Sequence, residues 1–204
     1  MLKNIYKKTM DIVFVNFLWI FTSLFGILLT AGAAFSAMFR VIYLIIERDE
    51  PTSVLLEFKK GFKDSFFKNT LVWVILLILL ASIYFMYITS LANNSDILLI
   101  LSIVGMYQWL IFFIYYFPIV ALFKTKRQID MVKNVIILSN INIWTNIKAI
   151  GSIVFILILI FYVHPVFLVI AIGFYGYLIT YHLRKILKPY YELWKSNELE
   201  EENA

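Results

Sequence analysis

Three polar side chains interrupt otherwise apolar runs of this 204-residue chain: Asn16, Arg40 and Gln108. Amides and charges in such places do one of two things: they join apolar helices through hydrogen bonds, or they line a polar path between them. Arg40 stands about two turns from the polar end of its run, close enough for its guanidinium to snorkel toward water or to serve a site. A second candidate lies just downstream, in Phe58, Lys59, Lys60, Phe62, Lys63 and Phe66. Aromatic residues recurring every fourth position, with lysines between them, make a helix with one apolar and one cationic face. Such a helix suits either a membrane surface with anionic headgroups or a cytoplasmic protein partner.

Other chemistry has few residues to build on. There is no His-Glu-x-x-His, no phosphate-binding glycine loop, no G-x-S-x-G and no dinucleotide fingerprint. With no cysteine, the chain has no disulfide, no Cys-ligated zinc, no iron–sulfur cluster and no thiol nucleophile. His164 and His182 are isolated in sequence and are expected near opposite faces of a membrane, too far apart to share a metal. The 13 acidic residues gather at the ends of apolar runs, so none is expected as a proton carrier at mid-membrane depth. The expectation is a protein that is not an enzyme and uses no cofactor or metal.

The elements that position these residues follow from composition. A chain that is 62% hydrophobic, with apolar runs of membrane length, cannot cover its apolar surface as a water-soluble globule. Its net charge of +5 comes from Lys and Arg residues flanking those runs, which points to anionic lipid headgroups and away from nucleic acid. Abundant Ile, Lys, Asn and Phe beside seven Gly and four Pro fit an AT-rich coding bias and a bacterial source.

Apolar runs are expected to span the membrane at Ile12–Thr30, Ala33–Ile46, Thr70–Ser90, Ile97–Phe123, Ala149–Val163 and Val166–Leu183. Ile12–Thr30 alone would rise about 28 Å, close to a hydrocarbon core of about 30 Å. A continuous helix from Ile12 to Ile46 would reach about 52 Å, so a turn is expected near Ala31-Gly32-Ala33. The first run also has the parts of a secretory signal, but it is longer than the usual ~7–15 apolar residues and more membrane follows it. In-plane amphipathic helices are expected over Ser53–Lys68 and Gln128–Asn146, the latter rich in asparagine. The fold class is therefore all-α, a polytopic transmembrane helical bundle of about six spans. Residues 1–195 form one membrane domain, and 196–204 a frayed acidic tail. With both termini cytoplasmic, every Lys and Arg falls on the inner side or, for Arg40, within reach of it. A five-span arrangement would put the basic head and the Lys59–Lys68 block on opposite faces. The stretches Ala33–Arg40 and Phe117–Lys124 each end an inward span and precede an in-plane helix, a faint parallel repeat.

Several of these features together resemble the YesL-like family of bacterial multi-pass membrane proteins, whose domain has no known function. They are Asn16-Phe17-Leu18-Trp19, the Gly32 turn followed by Ala37-Met38-Phe39, the Phe58, Phe62-Lys63 and Phe66 helix, Tyr116-Phe117-Pro118, and Lys133-Asn134. The family usually has proline after the glycine of the first turn, where this chain has Ala33. The resemblance implies an accessory or regulatory role in carbohydrate uptake, with a sugar transporter or membrane sensor as partner, and it supplies no catalytic residues. The alternative is a stand-alone small-molecule transporter, with Asn16, Arg40 and Gln108 along its path.

Overall fold

A threonine hydroxyl and a tryptophan decide where the first helix stops. The computed structural model describes the backbone of residues 2–26, 28–48, 53–64, 66–123 and 128–202, and their side chains except those of 2–4, 48, 190 and 193–202. The first helix, α1, runs Leu2–Phe25, so the basic head is part of it. The chain then turns through residues 26–30: Thr30 Oγ1 donates to Thr22 O at 2.7 Å, and Trp73 Nε1, from a later helix, donates to Leu28 O at 2.9 Å. Leu28 adopts φ 61°, a left-handed conformation costing a non-glycine residue roughly 1–2 kcal/mol, and these bonds hold it there. The turn expected at Ala31-Gly32-Ala33 thus lies about one helical turn earlier.

Helix α2 follows at Ala31–Arg48, with Gly32 inside its first turn. Gly32 serves close packing instead: a Cβ there would collide with the backbone oxygen of Asn69 and lie 2.5 Å from Trp73 Cβ. Helices α3 (Val54–Asp64) and α4 (Phe66–Ala92) come next, then α5 (Asp96–Leu122) after a turn at Asn93–Ser95. The asparagine-rich segment is not one helix. α6 covers Gln128–Ile141, Asn142 interrupts the helix, and α7 runs Ile143–Ile158 before loosening into a π turn, Leu159–Val163. Asn140 and Asn142 bond back to Ile136 O and Leu138 O, the competition with backbone bonding that makes asparagine a poor helix interior residue. His164 is extended and accepts from Val166 N through Nδ1, starting a 3₁₀ turn over Pro165–Val169. The last helix, α8, covers Ala171–Glu202 and so begins five residues later than the span expected from Val166.

The chain is almost wholly helical, with no strand among the described residues. Among the described residues, four helices are long and apolar enough to cross a membrane, at Ile5–Phe25, Phe66–Ala92, Asp96–Leu122 and Ile143–Val163. α2 differs from them. It is 18 residues long, carries Arg40, Glu47 and Arg48, and from Ala31 to Phe39 is buried on every side. Its small residues Ala33, Ala34 and Ala37 let other backbones approach closely, the usual basis of helix association in lipid. Phe35 lies at the meeting point: its ring is 4.8 Å from Trp19 of α1, 5.8 Å from Trp73 of α4, 5.3 Å from Phe113 of α5 and 6.4 Å from Tyr175 of α8. The far parts of α4 and α5 pack on each other, Gly105 against Ile83, and otherwise expose residues such as Ile78, Phe85 and Ile100.

This arrangement makes two glycines unequal. Gly32→Ala, forced against the α4 backbone, is expected to destabilise by about 1–3 kcal/mol and to lower the melting temperature in mild detergent. Gly151→Ala, in open space on α7, should leave melting unchanged or raise it by the helix propensity gain of up to ~1 kcal/mol. Equal melting of the two variants would contradict the packing described.

Candidate functional site

Each polar candidate occupies a different joint of the bundle. Asn16 is fully buried on α1. Its Nδ2 donates to Val169 O, and its Oδ1 accepts from Gly173 N at 2.7 Å. Val169 ends the 3₁₀ turn and Gly173 lies in the first turn of α8, where backbone N–H groups have no partner within the helix. Asn16 therefore caps α8 from a neighbouring helix. Gly173 permits this, since a Cβ there would stand 2.7 Å from Asn16 Cβ.

Arg40 is paired with carboxylates of α3. Its Nε lies 3.2 Å from Glu57 Oε2 and its Nη1 3.8 Å from Asp64 Oδ2, with the side chain 23% exposed. Glu57 is in the first turn of α3 and Asp64 at its end, so one guanidinium spans the helix as its forked donors allow. Between them Gly61 rests against Ala37 and the Arg40 side chain, where a Cβ would lie 3.1 and 3.0 Å away. Gln108 is half-buried on α5, and no hydrogen bond or ion pair joins it to Asn16 or Arg40 among the described residues. The structure does not bring the three together.

The amphipathic segment is also rotated from its expected setting. Val54, Phe58 and Gly61 face α2, and Phe58 is 3% exposed, inside the protein. Phe62 and Phe66 are half-buried and continue the ring series, Phe58–Phe62 at 6.3 Å and Phe62–Phe66 at 5.3 Å. Leu55, Leu56, Lys59, Lys60 and Lys63 are exposed, while Glu57 turns inward to Arg40. A stripe of aromatic residues signals an apolar face without saying whether lipid or another helix covers it.

Sequence reasoning missed a second charged joint. Glu47 of α2 accepts from Arg184 Nε at 2.7 Å and lies 3.7 Å from Lys188 Nζ, both on α8, while Tyr43 meets Tyr191 with rings 5.1 Å apart. Glu47 lies one residue past the apolar run Ala33–Ile46, and nothing in its sequence neighbours names a partner 137 residues away. His182 Nε2 and Ser152 Oγ are 2.9 Å apart, joining α8 to α7, and Asn69 donates to Ser36 at 2.7 Å, joining α4 to α2. No group of three His, Cys, Asp or Glu side chains positioned for a metal occurs among the described residues.

Residues 12–87 match a family described as "Protein of unknown function, DUF624". The match runs from α1 into α4 and includes Asn16, Arg40 and α3, and the resemblance to the YesL-like family is thereby shown for this part of the chain. No curated protein and no solved structure matches the chain.

If Arg40 holds α3 in place, Arg40→Ala should speed amide hydrogen exchange across residues 54–64 while leaving 76–92 unchanged. A double-mutant cycle of Arg40→Ala with Glu57→Ala should give a coupling of about 1 kcal/mol or less, as for other partly exposed pairs. Unaltered exchange in α3 would show that Gly61 and Phe58 hold the helix without the ion pairs.

Proposed function

We propose that this chain, whose residues 12–87 match a family of unknown function, is a non-catalytic, multi-pass protein of a bacterial cytoplasmic membrane that acts as an accessory or regulatory component beside another membrane system. The observation that carries this reading is the use made of its polar residues. Asn16 joins α1 to α8 and Arg40 joins α2 to α3, so two of the three groups that could line a transport path are engaged in holding helices together. That favours a structural or coupling role over the alternative, a stand-alone transporter. Ser152 and His182 place a hydroxyl beside an imidazole, but the Ser152 hydroxyl also donates to Lys148 O, and we read the pair as a joint between α7 and α8 and not as an activated nucleophile. Carbohydrate uptake is the field suggested by the family resemblance alone, with a sugar transporter or membrane sensor as the partner.

In the topology we propose, α1, α2, α4, α5 and α7 cross the bilayer, and the 3₁₀ turn Pro165–Val169 together with α8 makes the sixth crossing, with both termini and α3 on the cytoplasmic side. The positive-inside distribution supports it, because the turns at Asn93–Ser95 and His164-Pro165 carry no Lys or Arg. Without native cysteines, single-Cys probes report cleanly: Ser95→Cys and His164→Cys should react with an impermeant reagent from outside, and Ser53→Cys should not. External labelling of Ser53→Cys would overturn the six-span arrangement.

The accessory role is tested by gentle solubilisation from the native membrane and identification of co-purifying proteins. A sugar permease, its ATPase or a membrane sensor recovered in stoichiometric amount, and lost when Lys59, Lys60 and Lys63 are changed to Glu, is the expected result. Recovery of the chain alone, together with substrate flux in vesicles containing only this protein, would replace the accessory reading with transport.

A further inference from the structure

We infer that the outer face of α3 docks an acidic segment of a cytoplasmic protein or domain, an inference that rests on the accessory reading above and adds the chemistry of the contact. Contacts to α2 step in order along the chain: Glu57 meets Arg40, Gly61 rests on Ala37, and Asn69, already in α4, bonds Ser36 and backs onto Gly32. The ring series Phe58, Phe62 and Phe66 crosses from α3 into α4 without changing sides. α3 therefore runs antiparallel along α2 and leads into α4, instead of lying flat beneath the bilayer. Its inner face, Val54, Phe58 and Gly61, is buried, and its two carboxylates are drawn to Arg40. What remains outside is Lys59, Lys60 and Lys63 with Leu55 and Leu56, the leucines 51% and 66% exposed. Among the described residues, no carboxylate pairs with these three lysines.

Height decides between a protein and a lipid surface as the occupant. With the α4 crossing beginning at Thr70, the chain back to Lys59 and to Leu56 descends by about 16 Å and about 21 Å. The headgroup region beyond the hydrocarbon is only about 5–8 Å deep. Phe67, 84% exposed, and Lys68 fall within that layer and suit lipid. Leu55, Leu56, Lys59 and Lys60 stand beyond it, where neither acyl chain nor phosphate reaches them. Leucine and lysine mixed on one face at that height complement a segment that carries Asp or Glu beside an apolar residue. Opposite charges meeting in this way fix register and speed encounter more than they add affinity. Arg40 contributes by holding Glu57 and Asp64 inward, so that no carboxylate of α3 faces the partner.

The test replaces Leu55 or Leu56 with a benzophenone amino acid in the full chain, expressed in its native membrane. Adducts formed on illumination are identified by mass spectrometry. The same probe at Ile78, 61% exposed on α4, gives the lipid adducts that show the chain folded and inserted. The expected adduct at α3 is a protein whose cross-linked peptide is rich in Asp and Glu. Lys59→Glu and Lys63→Glu should each lower its yield about fivefold, the scale of one exposed ion pair, with the Ile78 adducts unchanged. Changing acidic residues of the cross-linked peptide to Lys should restore the yield in those variants. Lipid adducts at α3, no adduct there, or a protein adduct that ignores both charge reversals overturns the acidic docking face. If a partner still co-purifies in stoichiometric amount, the accessory reading survives that result, and if none does, both fall.

Discussion

Everything in this bundle depends on how closely other helices can approach α2. In lipid, apolar side chains gain little by leaving one hydrocarbon environment for another, so association relies on packing and interhelical hydrogen bonds. The first turns of α2 are made of small residues, and Gly32 in particular lets the backbone of α4 come close. Only then can Phe35 reach rings on α1, α4, α5 and α8 at once. A helix buried on all sides does not need the long unbroken apolar run that a lipid-facing helix needs, because protein covers it. That is why α2 can be short and carry a charge midway along, while α4 and α5, exposed over much of their length, are apolar on every face.

The charges on α2 are then read differently. Arg40 and Glu47 lie beyond the tightly packed small-residue turns, and each turns to a neighbouring element: Arg40 to the two carboxylates of α3, Glu47 to the two cations of α8. Partly exposed ion pairs of this kind contribute little to stability, typically within ~1 kcal/mol. Their larger effect is on register. A guanidinium that must meet both Glu57 and Asp64 permits one placement of α3, which turns Phe58 inward and leaves Leu55, Leu56 and three lysines facing out. The outer surface of α3 is thus decided by a residue on α2.

The helical, membrane-type character of the chain and most helix positions were legible from the apolar runs and their charged ends, and so were the turns at Asn93–Ser95 and at His164. Boundaries inside apolar sequence were not. Gly32 looked like a turn residue because glycine serves both turns and close contacts, and only the position of Asn69 distinguishes them. The turn at residues 26–30 is set by the Thr30 hydroxyl on the Thr22 carbonyl, and hydropathy treats such a hydroxyl as a mild interruption. The break at Asn142 was hidden by an approximate helical period continuing through it, although Asn146 bridges back to Ser139 O at 2.7 Å. Among the site residues, Asn16, Arg40 and the α3 segment were found by type and place. Their partners were not, since Gly173, Val169, Glu57 and Asp64 mark themselves only through three-dimensional neighbours.

Asn16 shows most directly why its role could not be read from type alone. It sits near the middle of the apolar helix Ile5–Phe25, and the residues it bonds are the end of a 3₁₀ turn and the start of α8. The start of α8 is therefore level with the middle of α1. Helix starts leave backbone N–H groups without internal partners, and hydrocarbon offers none, so a helix that begins at that level requires an acceptor from the protein. An apolar residue at position 16 would leave the Gly173 N–H unpaired, and a charged one would add a desolvation cost far above what one hydrogen bond returns. A neutral amide, giving and receiving one bond each, satisfies both Val169 O and Gly173 N. The outer half of α1 is left without α8 beside it, and the exposure of Phe21, Leu24 and Phe25 follows from that offset.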